Sequence, residues 1–103
     1  MPYASINDVK AWLIIPPNDT RDDAEISAIL SVVDEEIRIM ISRYSDIIPE
    51  SDPIIAMYEA LWAAGIYRMR REKMNDVHPF IKYARERLIE YICGKYGGKV
   101  RIA

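Results

Sequence analysis

Asp52-Pro-Ile-Ile-Ala-Met-Tyr-Glu-Ala-Leu-Trp-Ala-Ala-Gly-Ile-Tyr-Arg-Met-Arg-Arg71 is the stretch that decides the fold. Ser51 or Asp52 can cap a helix here, and Pro53 falls in the first turn, where its missing N–H does no harm. From Ile54 to Met69 the helix is apolar almost all the way round. Met57, Tyr58, Leu61, Trp62, Ile66 and Met69 lie on one side, and Ala60, Ala63, Ala64 and Gly65 keep it slim. A helix of that kind belongs at the centre of a bundle, where small residues let neighbours approach closely. Gly65 costs roughly 1 kcal/mol against Ala in a helix interior, so a close backbone contact there is the expected compensation. The spacing predicts that this helix runs to about Asn75.

Three more helices are predicted around it. Ser5, with Asp8 three residues on, forms a variant capping box for a short helix whose Val9, Trp12 and Leu13 make one apolar face. Pro16-Pro17 ends that helix, and residues 14–20 read as an ordered loop. A long amphipathic helix follows from about Asp22 to Tyr44, with acids at its start and a core stripe of Ile26, Ile29, Leu30, Val33, Ile37, Met40, Ile41 and Tyr44. Off that stripe, Ala28, Val32 and Ile39 stand among Asp34, Glu35 and Glu36, either incidentally or as a contact for another subunit. The last helix opens near Asp76–Pro79 and continues to about Tyr96, with Phe80, Ile81, Ala84, Leu88, Tyr91 and Ile92 facing inward and Gly97-Gly98 ending it. Lys99-Val100-Arg101-Ile102-Ala103 alternates like a short strand with no partner strand in the chain. The expected fold class is all-α: one domain over residues 1–103, a compact bundle of one short and three long helices with an extended tail.

Composition agrees with one globular domain. The chain has 103 residues, 50% apolar and 29% charged, with a net charge of −2. No apolar run approaches the ~20 residues of a membrane span, and no signal-peptide pattern opens the chain, so no membrane is expected and the protein should stay in the cytosol of the cell that makes it. Cys93, the one cysteine, reads as a core residue of a reducing compartment. Charge is uneven along the chain. Residues 1–52 carry four Lys/Arg against eleven Asp/Glu, and residues 53–103 carry ten against five. Halves of opposite sign suit copies that meet acidic surface to basic surface, so the split reads as an assembly signal.

Catalytic equipment is thin. The single histidine, His78, precedes Pro79 at a helix start and reads as a solvated or capping residue; no serine or cysteine stands in a nucleophile context, and no Gly-rich turn would cradle a phosphate. Asp34, Glu35 and Glu36 point in different directions on one helix, and no Cys/His cluster has ligand spacing. No catalytic residue, metal site or cofactor is expected. The one chemical cluster is basic: Arg68, Arg70, Arg71 and Lys73 at the end of the central helix, facing an acidic protein partner, DNA phosphates, or solvent. Part of it has a local explanation, since cations in a last turn complement the helix dipole.

The order of these parts resembles the head–tail connector (adaptor) proteins of tailed phages and prophages. The resemblance is carried by the opening Tyr3-Ala-Ser-Ile-Asn-Asp-Val-Lys-Ala-Trp-Leu13, the proline loop, the acid-led helix to Tyr44, the segment from Asp52 to Arg71, and Ala84-Arg-Glu-Arg-Leu88. It covers nearly the whole chain through loose motifs, with no match for the tail. It implies a small all-helical virion protein without catalytic activity, ring-forming beneath the portal, with portal and tail-completion proteins as partners and packaged DNA passing non-specifically through its channel. Two other classes stand beside it: a small helical DNA-binding or regulatory protein using Arg68–Lys73, and a ligand binder or enzyme with a pocket around Tyr58, Trp62 and Tyr91.

Overall fold

The computed structural model describes residues 1–97, which form four helices: α1 (Ile6–Leu13), α2 (Asp23–Tyr44), α3 (Pro53–Glu72) and α4 (Pro79–Tyr96). The all-α bundle expected from the sequence is what the chain adopts. The tail Lys99–Ala103 lies outside the described residues.

Three of the four described helices, α1, α3 and α4, start where a side chain takes up free amides. Ser5 Oγ accepts from Asp8 N–H at 3.1 Å while the Asp8 carboxylate accepts from Ser5 N–H at 2.8 Å, completing a capping box on α1. Asp52 caps α3 through Ile54 and Ile55 N–H, with Pro53 in the first turn. His78 caps α4, its Nδ1 accepting from Phe80 N–H at 3.0 Å, so the histidine is spent on structure. The ends of α1 and α3 lack glycine. Ile14 (φ 57°) and Lys73 (φ 51°) take the left-handed conformation themselves, and the next amide returns to the helix, Ile15 N–H to Lys10 and Met74 N–H to Met69. That turn stops α3 at Glu72, three residues before the expected Asn75.

α3 is the central element, packed against all three other helices. Ala60, Ala63 and Ala64 are buried, and Gly65 sits where α4 crosses: a Cβ there would stand 2.6 Å from Ile81 Cγ1. The glycine exists for that approach. The predicted stripe of α2 is buried from Ile26 to Ile41, as are Ile81, Ala84, Leu88 and Ile92 of α4. Each fully buried Ile or Leu contributes about 1.5–3 kcal/mol by leaving water. Helix α2 runs antiparallel to α3, because Asp22 at its start meets Tyr67 and Arg71 near the end of α3. Helix α4 is antiparallel to α3 as well, its Tyr91 and Tyr96 reaching Asp52 at the start of α3.

Two expectations fail. Cys93 is exposed, not in the core. The buried stripe of α4 ends on Ile92, and the next residue points about 100° away from it. Trp12, placed on the inner face of α1, is 42% exposed, its ring tilted against Phe80 at 6.2 Å between centroids.

Candidate functional site

The basic helix end is the first place to look, and its charges are largely engaged within the molecule. Arg71 donates to Glu25 at 2.6 Å and to Asp22 at 3.1 Å, and its guanidinium lies 4.7 Å over the Tyr67 ring. Tyr67 also donates its hydroxyl to Asp22 at 2.7 Å. Arg70 makes a longer pair with Glu25, 3.6 Å, and Arg68 pairs with Glu72 at 2.8 Å one turn along the same helix. Lys73, the left-handed residue that ends α3, is exposed. The structure therefore brings the four cations to one end of the bundle, but sets two of them against acids of the opposite half of the chain.

This corrects the reading of the charge split. Antiparallel packing puts the acid-led start of α2 beside the arginine-rich end of α3. At the other end, Lys95 lies 3.3 Å from Asp52. Part of the charge difference along the chain is thereby taken up inside the molecule, in the pairs of Arg70, Arg71 and Lys95 with Asp22, Glu25 and Asp52.

Asp52 is the best-connected polar residue. It is buried, its Oδ1 accepting from the Ile54 and Ile55 amides and its Oδ2 from Tyr96 OH (2.6 Å), Tyr91 OH (2.8 Å) and Lys95 (3.3 Å). Burial alone would raise its pKa. The tyrosine hydroxyls and the two amides outweigh that and hold it down at about 2. Lys95, stabilised by Tyr91 and Asp52, is displaced upward. The arrangement locks the start of α3 to the end of α4 and leaves no free lone pair for chemistry.

Two separate sets of buried polar groups escaped the sequence reading. In one, Lys10 of α1 is buried with its ammonium against Asp23 and 3.2 Å from the Pro17 carbonyl; in the other, Glu59, two turns into α3, is fully buried. Asp34, taken for part of the wet acidic side of α2, is buried under residues 1–4. Its Oδ1 accepts from Tyr3 N–H at 3.3 Å and its Oδ2 from Arg38 at 2.7 Å, while Glu59 Oε1 accepts from Ala4 N–H at 2.9 Å. Tyr3 OH donates to Pro49 at 2.6 Å and its ring lies 4.5 Å under Arg38. Periodicity could not find these residues: a lone carboxylate inside an apolar stretch is visible, but its partner, the backbone of residues 3 and 4, carries no side-chain signal.

Beside Asp34 lies an open surface concavity of about 580 Å³, lined by Met1, Asp34, Glu35, Arg38, Ile39, Ser42 and Ile48. Apolar side chains are exposed on α2 and in the loop that follows it. Val32 (59% exposed), Ile39 and, in the loop after α2, Ile47 (75%) and Ile48 all face solvent. Val32 and Ile39 are seven residues apart and so share one face of α2. Tyr58, Trp62 and Tyr91, the alternative pocket residues, are committed to packing: Tyr58 against Tyr83, Trp62 buried under Arg85, Tyr91 on Asp52. Among the described residues no group of three His, Cys, Asp or Glu is placed to hold a metal ion, and no helix is long and apolar enough to cross a membrane. Comparison with protein-family models, curated proteins and solved structures returns no match.

Proposed function

We propose that this protein is a structural subunit of a phage or prophage particle, a head–tail connector that assembles as a ring beneath the portal and offers a docking surface to the next tail component. The observation that carries the reading is the set of exposed apolar side chains Val32 and Ile39 on α2 and Ile47 and Ile48 in the loop after it, with Ile39 and Ile48 lining one concavity, on a small helical bundle whose order of parts resembles that family. Exposed apolar side chains gathered at a concavity offer a protein contact. Copies meet through it, and the portal and tail-completion proteins cover what remains. No catalytic step, metal or cofactor belongs to this role. Of the basic cluster, Arg70 and Lys73 are the cations most available to an acidic neighbour or to the passing DNA backbone, which they would meet without reading bases. Ring contacts of this size are weak until a template surface concentrates the copies, so the isolated protein is a monomer at low concentration.

Binding of duplex DNA as a regulator, the alternative use of Arg68–Lys73, has less to draw on, because Arg71 and Arg68 already hold carboxylates within the chain. The test is attachment to purified portal complexes encoded by the same genome, followed by electron microscopy. The wild type should cap the portal as a ring, and Val32→Glu with Ile39→Glu, both at exposed positions, should fold but fail to attach. A steeply salt-dependent shift of duplex DNA by the wild type, lost in Arg70→Gln with Lys73→Gln, would favour the regulator instead.

A further inference from the structure

Glu59 presents a problem that its neighbours cannot solve if it is ionised. One carboxyl oxygen accepts from Ala4 N–H; the other, Oε2, is buried and has no donor. A buried carboxylate oxygen without a donor is costly. Asp34, another carboxyl, lies beside Glu59, since the successive amides of Tyr3 and Ala4 go to Asp34 Oδ1 and Glu59 Oε1, and Asp34 also accepts from Arg38. Two buried carboxylates side by side, with one guanidinium bonded to Asp34 alone, are strongly disfavoured as a doubly ionised pair. A single proton resolves both difficulties, because a protonated Glu59 becomes a donor toward Asp34.

We propose that Glu59 and Asp34 form a proton-binding site in which Glu59 Oε2–H donates to the Asp34 carboxylate, and that loss of this proton lifts residues 1–4 off α2 and α3. The charged and titratable groups around it are Asp34 and Arg38 from α2, Glu59 and the cap residue Asp52 from α3, and the Tyr3 phenol from the N-terminal segment. Only Arg38 among them is a cation. Burial, with the neighbouring Asp34, pushes Glu59 up to about 8, against the opposing pull of the Ala4 and Tyr3 amides. When a base in solvent takes the proton, the site holds adjacent negative charges under the cover of Met1–Ala4. The least costly response is for water to enter by raising that cover, which is fastened by Tyr3 and Ala4 N–H, Tyr3 OH and the Met1 carbonyl on Arg38. Met1 also forms one wall of the groove on α2. Lifting the segment reshapes the apolar surface beside Ile39 and Ile48, so this proton controls the shape of that surface whatever binds there.

The experiment is a carboxyl-¹³C NMR titration of the full chain together with amide protection factors at Tyr3 and Ala4, for the wild type, Glu59→Gln and Asp34→Asn. The Glu59 carboxyl should titrate with a midpoint near 8, and protection of both amides should fall by up to about tenfold per pH unit between the ordinary glutamate value of 4.5 and that midpoint, then level off above it. Glu59→Gln keeps an acceptor for Ala4 and supplies an N–H to Asp34, so its protection should stay flat from about pH 6 to 9. Asp34→Asn should move the Glu59 midpoint down by about one unit or more. A Glu59 midpoint in the ordinary carboxylate range overturns the proposal, as does full protection of Tyr3 and Ala4 after Glu59 has ionised. The wild-type titration decides the matter even if a variant does not fold.

Discussion

Arg71 and Glu25, 46 residues apart in the chain, meet at 2.6 Å across the junction of α3 and α2. The contact ties the basic half of the sequence to the acidic half inside one molecule. It sets what the surface charge can be used for. With Arg71 and Arg68 engaged in ion pairs, the apolar residues beside the groove become the principal candidates for holding partners.

The Arg71–Glu25 pair itself should contribute little, because both side chains reach solvent and salt screens them. A double-mutant cycle of Arg71→Met and Glu25→Gln, read by urea unfolding, should give a coupling of about 0.2–1 kcal/mol. Arg71→Met alone should cost slightly more, since the guanidinium also lies over Tyr67.

Asp52 should matter far more. Replacing it with Ala removes the α3 cap and the acceptor for Tyr91, Tyr96 and Lys95, at a cost of about 2–4 kcal/mol. Its pKa is depressed in the folded chain, so its stabilisation is complete above the ordinary aspartate value and is lost as pH falls toward about 2. The wild type should lose about 2 kcal/mol over that acid limb, and Asp52→Asn should start lower near neutrality and lose less. Thermal unfolding as a function of pH measures both.

Gly65→Ala should destabilise the fold, although Ala is the better helix former by about 1 kcal/mol. The added Cβ would press on Ile81 Cγ1, Phe80 Cβ and the Ile81 backbone nitrogen, forcing α3 and α4 apart at a cost of about 1–3 kcal/mol. Ile14→Gly should do the opposite. Ile14 is 90% exposed and left-handed, a conformation that β-branched residues resist, so glycine should raise stability by up to about 1 kcal/mol with no packing lost.

Glu59 gives a pH dependence of the opposite sign to Asp52. Its proton is held more tightly in the folded chain than in the unfolded one, so stability falls as pH rises from the ordinary glutamate value of 4.5 toward about 8. Glu59→Gln should flatten that decline and be the more stable protein at neutral pH, a result readable from urea midpoints at several pH values.

Helices and caps were legible in the sequence because each depends on residues close together in the chain. Ser5 with Asp8, Asp52 with Pro53, and the alanines around Gly65 declare themselves at spacings of one to four residues. What stayed hidden depends on distant segments. Asp34 looks wet from its neighbours Glu35 and Glu36, and only the folding of Tyr3 and Ala4 over it makes it a buried acceptor. The meaning of the charge split was hidden for the same reason: a count along the chain cannot say that α2 and α3 run antiparallel, and that direction decides whether Asp22 and Glu25 face Arg71 or another molecule.

The account rests on the apolar face of α2 and the following loop being a contact surface. Electron microscopy of portal complexes incubated with the wild type and with Val32→Glu/Ile39→Glu tests this most directly. A ring on the portal that forms with the wild type and vanishes in a folded variant is the expected result. A bare portal with the wild type, or a ring unaffected by the two glutamates, would contradict it.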